Sequence, residues 1–158
     1  LQVISEMAKI PGAVVGAGTI TKSNDIKDAI NAGASFAISP GATDTILEES
    51  ERHKLAIMPG AATPSEIMRL FEFGYSVQKF FPAEANGGRA ALKAISGPLP
   101  NVKFCPTGGI NCDNDEGYLE LENTLCVGGS WVATQKLIEN EDWRTIHDLA
   151  KKASILVS

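Results

Sequence analysis

Residues 13–41 read AVVGAGTITKSNDIKDAINAGASFAISPG, and this stretch predicts a β-strand, a loop, an α-helix and a second β-strand. The apolar runs at its two ends are short enough for strands, and the segment 23–32 between them has the pattern of an amphipathic helix. Ser23 or Asn24 is placed to cap that helix. Two strands joined through a helix lie parallel in one sheet, because a parallel connection needs a crossover of this length.

The same strand–loop–helix unit recurs along the chain, with strand starts 20 to 26 residues apart. Strands are predicted at 13–16, 35–38, 55–58, 76–81, 102–105 and 124–127. Helices are predicted at 23–32, 43–53, 64–73, 89–95, 115–121, 136–138 and 143–156, after an opening helix that ends before Pro11. Thr63 is the expected cap of the third of these helices, and Pro64 is its expected first residue. This order of elements predicts an α/β fold with right-handed crossovers.

Small and polar residues follow the end of each predicted strand. Gly, Pro, Thr and Ser are frequent in the loops 16–19, 39–41, 59–63, 82–88, 106–109 and 128–130. In parallel α/β folds the carboxyl ends of the strands bind the ligand, and six such ends favour a (β/α)8 TIM barrel over a Rossmann crevice. We therefore expect one partial TIM-barrel domain over residues 1–158, with about six of the eight βα units present and two strands preceding Leu1.

Composition excludes several classes of function. The 158 residues have a net charge of −5 and no basic block, so no nucleic-acid partner is expected. No apolar stretch reaches the ~18 residues of a membrane-spanning helix, so no membrane partner is expected either. Three cysteines cannot form a closed disulfide framework, which predicts a cytoplasmic protein with Cys105 and Cys126 as buried thiols. The only two histidines fall on polar helical stretches, so no metal site is expected.

No cofactor motif is present either. The stretch Gly16-Ala17-Gly18 resembles the start of a dinucleotide fingerprint, but Thr21 stands where the third glycine would be. The next strand also ends without the acidic residue that binds a ribose. We therefore expect no bound cofactor.

Lys79 is the first candidate for a catalytic residue. It lies in the most apolar and aromatic stretch of the chain, where strand periodicity places Val77, Lys79 and Phe81 on one face. A lysine head group that is short of water has a lowered pKa, and a Schiff-base lysine needs that at neutral pH. The alternative is a structural lysine that extends along the strand to solvent. Lys103 is a comparison, because it lies at the beginning of a strand, where the head group is easily solvated.

Two glycine pairs follow the last two predicted strands. Gly108-Gly109 and Gly128-Gly129 can expose backbone N–H groups to an anion, and Ser130 adds a hydroxyl. A TIM barrel binds phosphate after its last two strands, so these loops predict a phosphate site, although glycines can serve tight turns alone. Glu84 is either an acid/base group or a carboxylate that stabilises the following helical turn.

Three motifs together resemble the bacterial 2-keto-3-deoxy-6-phosphogluconate aldolase family. They are KFFPAEANGG at 79–88, FCPTGGI at 104–110 and VGGSW at 127–131, and VGAGT at 15–19 and FAISPG at 36–41 match as well. The resemblance implies a class I aldolase on a (β/α)8 barrel, usually a homotrimer. It also implies 4-hydroxy-2-oxoglutarate aldolase activity, a phosphorylated keto-acid substrate and no metal requirement.

The resemblance also assigns roles to individual residues. Lys79 would form the Schiff base, Thr19, Pro40, Phe81 and Thr107 would contact the substrate, and Gly108, Gly109, Gly129 and Ser130 would bind the phosphate. Thr19 would hold the pyruvate carboxylate, and Thr107 would lie on the electrophile side. The family's general-base glutamate and carboxylate-binding arginine are expected on strands that precede Leu1, so activity of the 158 residues alone is in doubt.

Three alternatives remain open from the sequence. A sibling enzyme that cleaves the phosphogalactonate analogue would use the same machinery. A non-catalytic phosphate-binding barrel fragment would explain the glycine loops without Lys79. An assembly module without enzymatic activity is the weakest alternative, because small residues are concentrated at six strand ends.

Overall fold

The computed structural model describes residues 1–156, which form an α/β architecture with parallel strands. These residues divide into two compact units, the first formed by Leu1–Phe81 and the second beginning at Pro82. Each unit is described by itself below. Within the described residues, no helix is both long enough and apolar enough to cross a membrane.

The first unit contains four helices and five short strands. In chain order they are α1 (Gln2–Ala8), β1 (Gly16–Ala17), α2 (Ser23–Asn31), β2 (Phe36–Ile38), α3 (Asp44–Arg52), β3 (Ala56–Met58), β4 (Gly60–Ala61), α4 (Pro64–Glu72) and β5 (Val77–Phe80). Strands β1, β2 and β3 pair in parallel in that order, and β4 pairs in parallel with β5. The order of strands and helices is therefore the predicted one, apart from the additional strand β4 that follows Pro59.

The first sheet is held against its helices by apolar side chains. Ala37 on β2 and Ile26 on α2 are fully buried, and Ile46 on α3 joins the same cluster. Burying an isoleucine side chain contributes about 1.5–3 kcal/mol to stability, so these contacts fix both helices on the sheet.

The starts of the helices show which local predictions were correct. The Thr63 side chain caps α4 and Pro64 is its first residue, as predicted. The predicted cap of α2 is wrong, because Lys22 occupies the N-cap position and Ser23 is already helical. The Asp25 carboxylate accepts hydrogen bonds from the backbone N–H groups of Thr21 and Lys22 at 2.9 and 3.1 Å, so a hydroxyl at position 23 is not needed there.

The described part of the second unit, residues 82–156, contains four helices, two 3₁₀ turns and one strand. They are a 3₁₀ turn (Glu84–Asn86), α5 (Gly88–Ser96), β6 (Lys103–Pro106), α6 (Asp115–Leu119), a second 3₁₀ turn (Trp131–Ala133), α7 (Gln135–Glu139) and α8 (Trp143–Ser154). The core of this unit contains the fully buried Tyr118, Phe104 and Leu92. Asn123 is also buried, and its Nδ2 donates to the carbonyl of Leu92 at 2.9 Å.

The sixth predicted strand, 124–127, is not formed. This segment makes only two isolated parallel bridges, Phe104–Thr124 and Thr107–Gly128. The bridges are three residues apart on one side and four on the other, and the extra residue interrupts a regular ladder. Cys105 is buried as predicted, whereas Cys126 is only partly buried.

Candidate active site

Lys79 lies near the end of β5, and burial alternates along this strand. Gln78 and Phe80 are fully buried, whereas Val77 and Lys79 are half-buried on the other face. The Lys79 ammonium nitrogen is 4.4 Å from the centroid of the Phe81 ring. A cation held over an aromatic face is stabilised by about 0.5–2 kcal/mol, so Phe81 keeps the lysine head group at the end of the strand. The predicted face of Val77, Lys79 and Phe81 is therefore present.

Strand β5 is anchored on its opposite face by Gln78. Its side-chain Nε2 donates to the carbonyls of Ile67 on α4 and Tyr75 in the preceding turn, at 3.0 and 2.9 Å. Gln78 was not predicted to be important. The feature that could have identified it is a polar residue at a position where strand alternation predicts burial.

Pro40 and Lys79 are linked through Gly60. Gly60 is the register partner of Lys79, and the Lys79 backbone N–H donates to the carbonyl of Pro59 at 2.8 Å. A Cβ atom on Gly60 would overlap the carbonyl group of Pro40. The end of β2 and the lysine-bearing strand therefore approach each other through a residue without a side chain, and sequence reasoning missed this role of Gly60.

Thr19 follows β1 in a strained backbone conformation. Its φ angle is 62°, which is unusual for a β-branched residue and costs about 1–3 kcal/mol. The next residue is fixed to the neighbouring strand, because the Ile20 N–H donates to the carbonyl of Ile38 at 3.1 Å. The side chain of Thr19 is exposed. Strain retained at an exposed threonine beside a strand end is typical of functional positions.

In the second unit, the loop Thr107–Gly109 is tied to the chain that follows Pro82. The Ala83 N–H donates to the carbonyl of Thr107 at 2.8 Å, and the Glu84 N–H donates to the carbonyl of Gly108 at 3.1 Å. Gly108 and Gly109 have φ angles of 101° and 83°, a conformation that favours glycine. We call residues 107–109 the phosphate loop, after the phosphate binding that the sequence predicts for it.

The second glycine pair lies directly beside the phosphate loop. The Gly128 N–H donates to the carbonyl of Pro106 at 2.8 Å, and a Cβ atom on Gly128 would lie 2.5 Å from the Thr107 hydroxyl oxygen. A Cβ atom on Gly129 would overlap the Trp131 ring. The structure therefore brings Thr107 together with the 128–129 glycines, and Ser130 follows them as an exposed residue.

Glu84 and Tyr118 form a polar contact next to these loops. Tyr118 is fully buried, and its hydroxyl donates to the Glu84 carboxylate. Burial raises the pKa of Tyr118 well above its usual value, and the hydrogen bond with Glu84 raises it further. The tyrosine therefore stays protonated and remains a hydrogen-bond donor. Sequence reasoning missed Tyr118, because its partner is 34 residues away.

Cys105 contacts both Thr107 and Cys126. The Cys105 sulfur is 3.9 Å from the Thr107 hydroxyl oxygen, and a hydrogen bond from Cys105 lowers the pKa of Cys126 to about 7. Cys105, Cys112 and Cys126 form no disulfide within the part of the chain that the structure describes, and Cys112 is exposed. Among residues 1–156, no group of three or more His, Cys, Asp or Glu side chains is arranged to hold a metal ion.

Comparison with known proteins identifies one family. The model of the KDPG and KHG aldolase family matches residues 1–149. The 2-dehydro-3-deoxy-phosphogluconate aldolase of Pseudoalteromonas atlantica is 48% identical over 154 residues, which cover 97% of this chain and 72% of that protein. The KHG/KDPG aldolase of Escherichia coli is 45% identical over 145 residues, or 92% of this chain and 68% of that protein.

A solved structure agrees with the sequence matches. The KDPG aldolase of Legionella pneumophila superposes with a TM-score of 0.91 at 44% identity, covering 95% of this chain and 73% of that one. Its crystals captured pyruvate as a covalent carbinolamine intermediate.

Proposed function

The chain belongs to the KDPG and KHG aldolase family, and from that premise we propose a class I aldolase in which Lys79 is the Schiff-base residue. The reaction is the cleavage of 2-dehydro-3-deoxy-6-phosphogluconate to pyruvate and glyceraldehyde 3-phosphate. The single observation that supports this assignment best is the half-buried placement of Lys79 at the end of β5. The relatives' names do not favour the phosphogalactonate enzyme or a non-catalytic phosphate-binding fragment.

The chemistry requires a primary amine and no metal. The Lys79 nitrogen adds to the C2 ketone of the substrate to give a carbinolamine, which loses water to form an iminium ion. A general base accepts the C4 hydroxyl proton, the C3–C4 bond breaks, the aldehyde leaves, and the bonding electrons move into the iminium to give an enamine. Protonation at C3 and hydrolysis then release pyruvate and regenerate the amine. The carbinolamine in the Legionella pneumophila enzyme supports this sequence of steps.

In this proposal the first unit binds the pyruvate portion of the substrate. Thr19 contacts the carboxylate, and its strained backbone is consistent with a residue held for a ligand. Pro40 and Phe81 are assigned to the pocket lining, and Gly60, which approaches the Pro40 carbonyl, adds no side chain there.

The second unit binds the leaving aldehyde and its phosphate. Thr107 is assigned to the aldehyde portion, and Gly108, Gly109, Gly129 and Ser130 to the phosphate. The positive φ angles of Gly108 and Gly109 and the contact of Thr107 with Gly128 support a compact anion site built from backbone N–H groups. An unphosphorylated substrate, 4-hydroxy-2-oxoglutarate, would use the same lysine and give pyruvate and glyoxylate.

Finer features of the family also belong to this proposal. We infer a (β/α)8 barrel, a homotrimer and a cytoplasmic location for this protein. The parallel strands joined through helices support the barrel, and the resemblance of the 79–88, 104–110 and 127–131 motifs supports the trimer.

Reductive trapping tests the role of Lys79. Incubation of the purified protein with pyruvate and borohydride should leave the mass of a reduced pyruvyl imine on Lys79, located by peptide mass spectrometry. Lys79→Arg keeps the positive charge but cannot form the imine, so it should abolish both the adduct and turnover.

Lys103→Arg is the matched control for this experiment. The Lys103 ammonium donates to the carbonyl of Glu122 at 2.8 Å at the start of β6, so its replacement should leave trapping and turnover intact. An adduct on any lysine other than Lys79, or full turnover in Lys79→Arg, contradicts the proposed mechanism.

A further inference from the structure

The phosphate loop is held in place by the segment that contains Glu84. Besides the two backbone hydrogen bonds from residues 83 and 84, the Glu84 side chain packs directly on Gly109. A Cβ atom on Gly109 would lie 2.6 Å from Glu84 Cγ and 2.8 Å from Glu84 Cβ. The carboxylate stem therefore covers the loop backbone closely, and its position determines how far the loop can move.

Tyr118 fixes the far end of the same side chain. Its buried hydroxyl donates to Glu84 Oε1, and Gly88 leaves room for that contact. A Cβ atom on Gly88 would lie 3.0 Å from both the Tyr118 hydroxyl and Glu84 Oε1, and the φ angle of Gly88 is 55°. The packing around the pair leaves little space for the carboxylate to turn elsewhere.

The other side of the loop is tied to the helix that contains Tyr118. Asn114 precedes α6, and its side-chain Nδ2 donates to the carbonyl of Gly109 at 3.0 Å. Asn114 Oδ1 also accepts from the Asn111 N–H at 2.9 Å. The phosphate loop thus contacts both Glu84 and Asn114, and Tyr118, on the helix that Asn114 precedes, donates to Glu84.

The negative charge of Glu84 makes the orientation of its carboxylate important for anion binding at the loop. A carboxylate free to rotate next to a phosphate site would repel the ligand, because like charges at short range disfavour each other. The Tyr118 hydroxyl keeps Oε1 on the α6 side of Gly109. A hydrogen bond to a charged acceptor is among the stronger ones in proteins, so one hydroxyl is enough to hold that orientation.

From these contacts we infer that Glu84 and Tyr118 are positioning residues that hold the phosphate loop and set the preference for phosphorylated over unphosphorylated substrates. The inference rests on the proposed function, in which residues 107–109 contact the phosphorylated aldehyde. It gives Glu84 a structural role near the phosphate instead of a role in proton transfer.

Tyr118→Phe tests the inference directly. We expect the KM for 2-dehydro-3-deoxy-6-phosphogluconate to rise about tenfold, the equivalent of about 1.4 kcal/mol, with kcat unchanged. Cleavage of 4-hydroxy-2-oxoglutarate should keep its KM and kcat, and this also shows that the variant folds. The dissociation constant of inorganic phosphate, measured by calorimetry, should rise by the same factor.

Variants at Glu84 separate positioning from proton transfer. Glu84→Gln keeps the acceptor for the Tyr118 hydroxyl and the packing on Gly109 but removes the charge, so kcat should stay unchanged and the KM for the phosphorylated substrate should not rise. Glu84→Ala removes the support together with the charge, so this KM should rise less than in Tyr118→Phe, and the double variant should resemble Glu84→Ala. Tyr75→Phe is the matched control, because it removes the hydroxyl of the only other tyrosine, which lies in the first unit. It should leave KM and kcat unchanged for both substrates.

The outcomes distinguish this inference from the proposed function. Equal losses for both substrates in Tyr118→Phe, or a large fall in kcat in Glu84→Gln, would overturn the positioning role. If the full-length protein cleaves neither substrate, the proposed function fails. Phosphate calorimetry still decides the inference then, because unchanged phosphate affinity in Tyr118→Phe overturns it and weakened affinity supports it.

Discussion

Gln78→Glu replaces the side-chain NH2 group with an oxygen at the residue that precedes the proposed Schiff-base lysine. Gln78 is fully buried, and its Nε2 group donates to two carbonyls, those of Ile67 and Tyr75, at 3.0 and 2.9 Å. Glutamate has nearly the same shape but carries a second oxygen in place of the nitrogen. The change therefore turns two attractive contacts into oxygen–oxygen repulsion without creating a cavity.

The size of the effect can be worked from these two contacts. Leaving a buried hydrogen-bonding group unsatisfied costs about 1–3 kcal/mol, so the introduced glutamate, when ionised, should destabilise the fold by about 2–6 kcal/mol near neutral pH. A protonated carboxyl has one O–H that can donate to one of the two carbonyls. The loss should then fall to about 1–3 kcal/mol at low pH.

The sign of the pH dependence follows from burial. Desolvation disfavours the charged carboxylate, so the introduced glutamate has a higher pKa in the folded than in the unfolded protein. The deficit in stability is therefore smallest below the unfolded pKa of about 4.3 and grows as the pH rises toward the folded value.

Urea unfolding followed by far-UV circular dichroism at several pH values measures this difference. Gln135→Glu is a matched control, because Gln135 is an exposed residue of α7 whose Nε2 group donates only to Glu139. That variant should change the free energy of unfolding by less than about 1 kcal/mol. A loss below about 1 kcal/mol in Gln78→Glu at neutral pH, or a loss that does not depend on pH, would refute this account of how β5 is anchored.

Two further predictions concern charge. The Glu49 carboxylate is paired with Lys27, Arg52 and His53 at 3.0, 3.0 and 3.1 Å, and the hydrogen bond with Lys27 contributes most to lowering its pKa. Glu49→Gln should therefore destabilise the protein above the unfolded pKa of about 4.3 and lose its effect as the pH falls through the folded value; a constant difference in pH-resolved thermal unfolding would contradict this. Ser130→Asp should raise the KM for the phosphorylated substrate roughly tenfold and leave the KM for 4-hydroxy-2-oxoglutarate nearly unchanged, because the new charge would lie at the proposed phosphate site; equal changes in the two KM values would show that the loop is only a turn.

Features encoded within a few residues could be predicted from the sequence. The start of α4 at Thr63 and Pro64 depends on a hydroxyl and a fixed φ angle that act on neighbouring backbone groups. The alternating burial along β5, with Lys79 on the less buried face, could be predicted because alternation is a property of the strand itself. The repeating order of strands and helices was also predictable, because each element has its own hydrophobic pattern within a few residues.

Features that depend on distant pairing could not be predicted. The segment 124–127 has the composition of a strand, but its register against β6 shifts by one residue between two bridges. The contact of Tyr118 with Glu84 joins residues that are far apart in the chain. The role of Gly60 is set by the backbone of Pro40, and a single sequence contains no signal for such an approach.

The approach of Gly60 to Pro40 limits how this pocket can be redesigned. Any side chain at position 60 would displace either the Pro40 carbonyl or the strand segment that is in register with Lys79. Libraries that aim to reshape the proposed keto-acid pocket should therefore leave Gly60 unchanged. Diversity placed at Thr19 leaves both the Gly60–Pro40 approach and the contact between Phe81 and the Lys79 amine intact.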